Sequence, residues 1–488
     1  MRSRHLRQDY GTLSTLIGLA LGDGGSGGQG DFASQLVWYV DPQNPAANDE
    51  NDGKTALTPL KTLAEVATRL SVASMVNYTI NLMSNTNSTD TFDYNPHLNG
   101  QGLTGGGGID VGVTSFVNIV GRQTVAGSGV VTSATGTTPA TNTQASLDVA
   151  GVVWTPLLGS LVVMTSGALA GYQAYVIKDL GSNTARMSDW WNPTGVTPGG
   201  SGSNGTFAAI GAAPAPGDTY NIVTLTQFNA TYRNAGNPAR VQINFQNLQF
   251  TAAANITVEG ATNSFITCQM LCNLIAVMWV NEFAQYYGCL LNTVSAQLLN
   301  FDMRLRFIGS ALLNTSVQAF NTGRAEFINT VVQGGSVFVG RGFTGLPGDT
   351  SELGGQIAIF AQAPGAPTNQ SIGLGIFDSP AQGFSAVRGG ILGIDAPLYG
   401  SGNTTYGLTV SDGGAIMVRT GVSPTITGTT AALQLEGAAT AIPPLVAGTT
   451  VPAASALATW AQWAAGPFSG NVMDYTAGSK IITVAAPV

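Results

Sequence analysis

Charged residues and histidine are scarce in this chain of 488 residues, and each shortage argues against a class of function. Charged residues make up 9% of the chain, the net charge is −8, and lysine occurs at only four positions. An acidic chain with no basic segment beyond its first few residues is not expected to bind nucleic acid or an acidic membrane surface. His5 and His97 are the only histidines, which nearly excludes a histidine-dependent catalytic triad and a three-histidine metal site.

Cysteine is also rare, and its three positions do not make a disulfide framework. Cys268 and Cys289 occupy equivalent positions of the repeat described below, so we interpret them as small buried apolar residues. Cys272 has no histidine nearby with which to form a metal motif. The sequence therefore predicts no metal site and no cofactor.

Long apolar runs are missing as well, and none approaches the ~18 residues that a membrane-spanning helix needs. Residues 1–7 carry three arginines ahead of an apolar stretch at 13–21, an arrangement that resembles a signal peptide. Asp9 interrupts the basic part, however, and no small-x-small cleavage site follows. We expect this N-terminus to remain uncleaved.

Glycine is abundant, with 64 residues, and a repeat runs from about residue 243 to 333. Its units begin at residues spaced by 21, 21, 21 and 20 positions. Two positions before each start is a large apolar residue: Phe245, Ile266, Tyr287, Ile308 and Ile328. The starts are small or polar: Asn247, Cys268, Cys289, Ser310 and Thr330. Two positions later come Gln249, Met270, Leu291, Leu312 and Val332.

Alternate positions of a strand share one face, so these three columns are predicted to point the same way. A second strand-like segment follows in each unit, at 256–258, 274–277, 295–299, 316–318 and 336–339. A period near 20 without helical spacing indicates a solenoid of parallel β-coils, with the first column running down the interior. A β-sandwich with evenly spaced strands is the alternative.

The N-terminal segment 1–35 is a separate piece. Four large apolar residues follow helical spacing before a glycine run at 22–30: Leu13, Leu16, Ile17 and Leu21. We interpret this segment as an arm that docks into a larger assembly. Packing on its own trimer is the alternative.

An Asn/Asp-rich loop and a predicted helix follow. Thr58 is the expected N-cap, with Pro59 at the first helical position. Five residues share one face of this helix, as a plug for the open end of a solenoid should: Leu60, Leu63, Ala67, Leu70 and Ala73. An EF-hand calcium loop is disfavoured, because Pro59 stands where the bidentate Glu belongs.

Three segments of this stretch form a recognisable entry signature: Tyr39-Val40-Asp41-Pro42, Asn48-Asp49-Glu50-Asn51-Asp52-Gly53 and Pro59-Leu60-Lys61-Thr62-Leu63. Together they give the sequence a resemblance to the right-handed parallel β-helix proteins of the pectate-lyase-like superfamily, especially the tailspikes and fibres of tailed bacteriophages. It implies an all-β right-handed parallel β-helix, a homotrimer, and a place on a phage or phage-like virion.

Residues 130–144 are low in complexity and are predicted to be a linker or surface loop. Residues 150–225 break the solenoid period and predict a small β-module. Trp190 and Trp191 beside a Pro/Gly/Ser loop suggest a carbohydrate-binding platform on which a sugar would stack. The alternative divides this pair between a core and an interface.

Past the regular repeat, Gly-Gly-strand units recur at 354–359, 389–394 and 413–418. The Ala/Pro/Thr-rich tail is predicted to cover the open coil end and clasp a trimer. The predicted domains are the docking arm 1–35, the capping helix and first rungs 36–130, the linker and insert 131–235, the main β-helix 236–430 and the C-terminal cap 431–488.

Four carboxylates recur along the repeat, and pairs of carboxylates on neighbouring rungs are what a glycosidase or lyase would use. Glu259, Glu282, Asp302 and Glu326 are spaced by 23, 20 and 24 residues, and the first three are the candidate catalytic residues. Arg304 and Arg306 are candidates for binding an acidic sugar. Solvated corner residues and surface ion pairs are the alternative.

The sequence thus predicts a β-helical appendage of a phage or phage-like particle, attached by its N-terminus and adhering to the host surface. Its expected partners are two further copies of itself, other virion proteins and a host glycan. The alternative is an enzymatic tailspike that degrades host surface polysaccharide. A secreted adhesin or pectinase-like enzyme is disfavoured, because no signal peptide is predicted.

Overall fold

The structure, a computed structural model, describes more than half of the chain, in 22 stretches. Almost all of these stretches are β-strands and their turns. The described residues are 37–63, 65–66, 77–83, 116–196, 204–228, 242–250, 256–258, 262–271, 274–277, 283–292, 295–298, 304–319, 323–339, 356–360, 372–380, 382–387, 389–411, 414–418, 424–435, 440–442, 473–475 and 480–481.

Twelve strands precede the regular repeat. The first three are β1 Val37–Val40, β2 Asn77–Leu82 and β3 Phe116–Val120. The next nine are β4 Gln123–Val130, β5 Ser133–Thr135, β6 Ser146–Asp148, β7 Leu161–Met164, β8 Gln173–Gly181, β9 Thr184–Met187, β10 Trp191–Asn192, β11 Thr206–Phe207 and β12 Thr219–Phe228. Two 3-10 turns, Pro139–Thr141 and Thr155–Leu157, lie among these nine.

The remaining strands follow in groups of three. The first five groups comprise β13 Gln242–Gln246, β14 Leu248–Phe250, β15 Ile256–Val258; β16 Thr262–Ile266, β17 Gln269–Met270, β18 Leu274–Val277; β19 Phe283–Tyr287, β20 Leu290–Asn292, β21 Ser295–Leu298; β22 Arg304–Ile308, β23 Ala311–Leu313, β24 Ser316–Ala319; and β25 Arg324–Ile328, β26 Thr330–Gln333, β27 Val337–Val339. The later ones are β28 Gln356–Ile359, β29 Leu374–Phe377, β30 Phe384–Val387; β31 Ile391–Ile394, β32 Leu398–Asn403, β33 Tyr406–Ser411; β34 Ala415–Val418, β35 Thr425–Gly428, β36 Ala431–Leu435; β37 Thr440–Ile442, β38 Met473–Tyr475 and β39 Lys480–Ile481.

From β13 to β36 the chain visits three parallel sheets in turn, so each of these groups of three strands is one rung of a parallel β-helix, which we call the shaft. Strands β37 and β39 then extend sheet 1, and β38 extends sheet 3. Sheet 1 has the order β1-β2-β3-β13-β16-β19-β22-β25-β28-β31-β34-β37-β39. Sheet 2 contains β12-β14-β17-β20-β23-β26-β29-β32-β35, and sheet 3 contains β15-β18-β21-β24-β27-β30-β33-β36-β38. The predicted solenoid of parallel strands is confirmed; its right-handedness and its trimer stay predictions.

The interior of the shaft contains a column of stacked aromatic rings on sheet 1. Neighbouring ring centroids lie 5.1, 4.9, 5.2 and 5.3 Å apart, with planes within 18° of parallel. The column consists of Phe245, Phe265, Tyr286, Phe307 and Phe327. Such stacking adds ~0.5–1.5 kcal/mol per pair to the burial of the rings.

The sequence prediction for this column was wrong by one residue. Phe245 pairs with Phe265 and not with Ile266, because the first coil is one residue shorter than the repeat suggested. A slip of one residue turns a side chain to the opposite face of a strand. Ile266, Tyr287 and Ile308 therefore point outward from the shaft. There they pack with Trp191 in a cluster that is separate from the interior.

The corner between sheets 1 and 2 explains the second column of the repeat, the small or polar residues at which the units start. The corner residues adopt positive φ, and they are Asn247, Thr267, Gly288, Gly309 and Asn329. Each is followed by an inward residue, and from Cys268 onward these residues are small. The Cys289 thiol donates to the Phe265 carbonyl at 3.2 Å, and the Ser310 hydroxyl donates to the Tyr286 carbonyl at 2.9 Å. The prediction that Cys268 and Cys289 are buried in one inward column is confirmed, and both thiols are free.

Near the N-terminus, the predicted helix start at Thr58 and Pro59 was wrong. Leu60 instead forms a parallel bridge with Val40, and helical residues first occur at 63, 65 and 66. Thr62 provides the cap, because its hydroxyl accepts the Glu65 backbone N–H at 3.2 Å. Leu60 and Leu63 are buried as expected, whereas Ala67, Leu70 and Ala73 lie outside the described residues. Within the described chain, no helix has the length and apolar character to cross a membrane.

Strands β4 to β12 form an antiparallel module with its own core. Residues 130–144, predicted to be a linker or surface loop, belong to it: β5 pairs with β6, and Gln144 is buried. The core surrounds two tryptophans, Trp154 and Trp190. Strand β12 joins module to shaft, because it pairs antiparallel with β4 and β7 and parallel with β14.

At the C-terminal end, the described part of the tail continues the shaft. Strands β36 and β38 pair in parallel in sheet 3, and β37 and β39 do so in sheet 1. The predicted boundary at residue 430 therefore does not end the parallel pairing. The tail's role as cap and trimer clasp stays a prediction.

Candidate functional site

The module lies along the outward face of sheet 2, in a contact that we call the seam. Its side of the seam consists of Leu161, Tyr175, Ile177, Val223 and Leu225. The shaft side consists of Leu290, Ala311, Leu313, Val331, Ile372, Phe377 and Tyr399, from five successive rungs. Burial of apolar surface stabilises a contact by ~25 cal/mol per Å² removed from water. This burial holds the module on the shaft.

Trp191 closes one edge of the seam. Its ring packs with Phe207 against the outward column of Ile266, Tyr287 and Ile308, and its indole N–H donates to the Asn204 carbonyl at 2.8 Å. Only 1% of Trp191 is exposed. Polar contacts nearby include the bond from the Gln173 amide to the Thr267 hydroxyl, 2.8 Å long.

Trp190 and Trp191 were the predicted sugar-stacking platform. Trp190 lies in the module core with 2% exposure, and Trp191 lies between module and shaft. As placed, neither ring has an exposed face on which a sugar could stack. One ring in a core and one at an interface is the alternative given above.

A groove lies between the module, at the start of β7 and the middle of β12, and the first three rungs of the shaft. It encloses about 190 Å³. Its lining comes from both units: Leu158, Gly159, Ser160, Val223 and Thr224 from the module, and Gln249, Gln269, Leu271, Leu290 and Asn292 from the shaft. No charged residue is among them.

Amide side chains form one wall of this groove. Gln249 donates from its amide nitrogen to the Gln269 side-chain oxygen at 2.9 Å, and Gln269 donates in turn to the Gly159 carbonyl at 3.2 Å. This chain of bonds fixes the orientation of both amides. Leu158 and Leu271 are 42% and 36% exposed, so the wall is flanked by apolar surface in contact with water.

The sequence did not identify this groove. Gln249 was assigned to the inward column, because the first repeat was aligned one residue early, and its outward position follows only from the correct register. Leu158 and Ser160 are distant in sequence and reach the groove through the fold of the module. The available signal was the pair Gln249 and Gln269, polar residues 20 positions apart.

Arg304 and Arg306, the predicted acidic-sugar ligands, lie on the outward face of sheet 1 beside a buried carboxylate. Glu326 is 0% exposed and accepts from Arg304 Nε at 2.5 Å and Arg306 Nε at 2.8 Å. Arg324 Nε lies 2.8 Å from the same carboxylate. Glu326 thus holds three guanidinium groups together, which is the arrangement of a structural ion cluster.

A second ion cluster crosses the seam at Asp378. Its Oδ2 accepts from Lys178 at 2.7 Å, from Arg186 at 2.9 Å and from Gln333 at 2.8 Å. Burial disfavours the charged carboxylate, but the hydrogen bonds from Gln333 and Lys178 and the charge of Arg186 outweigh it. Together they hold the pKa of Asp378 below its ordinary value.

The remaining candidate residues lie outside the described part of the chain. These are the carboxylates Glu259, Glu282 and Asp302 and the docking residues Leu13, Leu16, Ile17 and Leu21. Among the described residues, no three His, Cys, Asp or Glu side chains are grouped as a metal site would require.

Comparison with known proteins gives a structural likeness. No family model and no curated protein matches the chain. A solved structure, the Gp54 tailspike of Acinetobacter baumannii bacteriophage AP22 in complex with A. baumannii capsular saccharide, matches 86% of this chain and 67% of its own. The identity is 10% and the TM-score 0.24. A likeness this low supports no inference about function, and the fold assignment rests on the strand pairing.

Proposed function

We propose that this protein is a β-helical appendage of a phage or phage-like particle that holds a host-surface saccharide in the groove between module and shaft. The arm 1–35, through Leu13, Leu16, Ile17 and Leu21, would attach it to other virion proteins. Three copies would form the projecting appendage. The protein would thus be assembled in the host cytoplasm and exposed on the particle.

The observation that carries this proposal is the chemistry of the groove lining. A sugar ring has hydroxyl groups around its edge and apolar C–H faces. The Gln249 amide, oriented by its bond to Gln269, offers its side-chain oxygen and a second N–H to a ligand, while the buried Gln269 is held by Gly159. Leu158 and Leu271 offer exposed apolar surface beside it. A few placed polar groups on an apolar lining are typical of small-molecule sites.

The size of the groove fits a short part of a polymer. Its volume of about 190 Å³ is below the ~300–1,000 Å³ of sites that enclose a drug-sized ligand. Weak binding of a single sugar unit suits an appendage in several copies, because linked sites gain ~10²–10⁴ in overall avidity.

Polysaccharide binding tests the proposal. Purified full-length protein is titrated with a panel of purified capsular and O-antigen polysaccharides, and the Leu158→Ala and Leu271→Ala variants are compared with the wild type. We expect each variant to weaken binding at least ~10-fold, equivalent to ~1.4 kcal/mol. Leu57→Ala is the matched control, because Leu57 is 82% exposed and does not line the groove. Binding unchanged in both groove variants would refute this site.

The same experiment addresses the enzymatic alternative. Release of reducing ends from a bound polysaccharide, abolished by Glu282→Gln or Asp302→Asn, would assign hydrolase or lyase chemistry to the appendage. Binding without release is the result expected for an adhesive protein.

A further inference from the structure

A buried polar network surrounds Asp189 at the end of the seam nearest to β32 of the shaft. The Asp189 Oδ1 accepts from the Thr137 hydroxyl at 2.8 Å and from the Gln144 amide at 2.9 Å. Asp189 is only 1% exposed. Within the described chain, no group donates to its other oxygen, Oδ2. A charged carboxylate is stable in an interior only when its oxygens are well supplied with donors.

This network is joined directly to the shaft. The Gln144 side-chain oxygen accepts from the Tyr399 hydroxyl at 2.9 Å, and Tyr399 belongs to β32 of sheet 2. One turn away, Asn142 accepts the Gly400 backbone N–H at 2.9 Å, and the Pro139 carbonyl accepts from Thr425 at 2.8 Å. The segment that binds Asp189 is therefore also the segment that docks the module on the last rungs.

We propose that the protonation of Asp189 sets how tightly the module docks on the shaft, with docking tighter in mildly acidic solution. When a proton from solvent binds the carboxylate, the buried group is neutral and the network closes around it. When the proton leaves, the charge is stable only in contact with water. Separation of the Tyr399 side from the module would provide that contact.

The direction of the effect follows from the charges present. Burial raises the pKa of Asp189 from 3.8 to about 6, against the opposing effect of the hydrogen bonds from Gln144 and Thr137. Tyr399 is the titratable partner of this network, and burial followed by the charge of Asp189 raises its pKa well above 10.0. Thr137 and Gln144 do not titrate. The other charged groups of the seam, Lys178, Arg186 and Asp378, form their own cluster.

A group whose pKa is raised in the folded state contributes stability below its unfolded pKa and loses it as pH rises through the folded value. For Asp189 the contribution is therefore complete below about pH 4 and is lost through about pH 6. A difference of about two pKa units corresponds to a change on the order of 100-fold in the docking equilibrium.

Hydrogen exchange of the full-length protein, followed by mass spectrometry and corrected for intrinsic rates, tests this. The reporters are the segments 139–145 and 397–403, which contain the docking bonds. We expect opening to increase by on the order of 100-fold between about pH 4 and pH 6 and to level off above that, so that opening at about pH 8 exceeds opening at about pH 5 by roughly 10-fold. Asp189→Asn keeps the acceptor oxygen and removes the charge, so its opening should stay at the acidic wild-type level throughout.

Two further variants separate the effect of the Asp189 charge from other effects of substitution. Asp148→Asn, a module aspartate bonded to Ser133 away from the network, should keep the wild-type pH profile. Tyr399→Phe removes one hydroxyl and retains the ring, so it should open more at every pH and still respond between about pH 4 and pH 6. The proposal would be overturned if opening of the wild-type protein did not vary with pH. It would also be overturned if opening of Asp189→Asn still varied with pH, or if opening of Tyr399→Phe no longer did.

Discussion

The indole ring of Trp191 lies so close over Gly288 that a methyl group added at that corner would come within 2.1 Å of the ring. The next corner, Gly309, is covered by the same ring and by Phe207. Both corners have positive φ, of 53° and 58°. Glycine at these two positions therefore serves the turn and also leaves the space in which the module docks.

Gly288→Ala should loosen the docked module. Alanine at positive φ costs ~1–2 kcal/mol, and the overlap with Trp191 adds ~1–3 kcal/mol, so hydrogen exchange at residues 173–177 should accelerate. Gly181→Ala is the matched control, because Gly181 has φ of 79° and open space around it. Equal hydrogen exchange in the two variants would show that the packing of Trp191 does not require glycine at position 288.

Alanine substitutions at two adjacent residues of β22 should destabilise different parts of the protein. Phe307 is a member of the stacked interior column, so Phe307→Ala should destabilise the shaft by ~3–5 kcal/mol in urea unfolding followed by circular dichroism. Ile308 faces the module, so Ile308→Ala should leave most of the shaft signal intact and free the module. If Ile308→Ala lowered shaft stability as much as Phe307→Ala, the register would be wrong.

Glu326→Gln should destabilise the protein by ~3 kcal/mol, because three guanidinium groups lose the charge that holds them together. Differential scanning calorimetry measures the loss. Glu50→Gln, in an exposed loop, is the control and should unfold at the wild-type temperature. A Glu326→Gln protein as stable as the control would remove the structural role assigned to this carboxylate.

Asp378→Asn should weaken the docked state by ~1–2 kcal/mol at neutral pH, through the lost charge-assisted bonds to Lys178 and Arg186. The pKa of Asp378 is lowered in the folded protein. Its contribution is therefore present above about pH 4 and disappears as pH falls through the folded pKa. Urea unfolding of the wild type and variant should differ at about pH 7, and the difference should narrow as pH falls below about 4. A gap that persisted in acid would contradict this assignment.

The spacing of the repeat was sufficient to predict the parallel coil, because residues one coil apart occupy equivalent positions on the stack. It was not sufficient for the register of the first coil. Phe245 and Ile266 look equivalent by size, and only the pairing of Phe245 with Phe265 separates the interior from the module face. Corner residues were hidden in the same way: Thr267 adopts positive φ, which its side chain does not suggest.

The groove and the seam depended on contacts that no local pattern encodes. Trp191 reaches Ile308 across more than a hundred residues of chain, and the Gln269 amide finds its acceptor at Gly159. Paired tryptophans predicted a sugar platform because aromatic rings are frequent in such sites. Their burial shows the more general tendency of large apolar rings to fill cores and interfaces.

We propose that the docked module and the shaft together form the saccharide site. This claim is tested most directly by measuring polysaccharide affinity for Gly288→Ala beside Gly181→Ala, with circular dichroism confirming that the shaft remains folded in both. We expect the Gly288→Ala protein to bind at least ~10-fold more weakly than the Gly181→Ala protein. Equal affinity in the two proteins, with the module loosened only in the first, would contradict the claim.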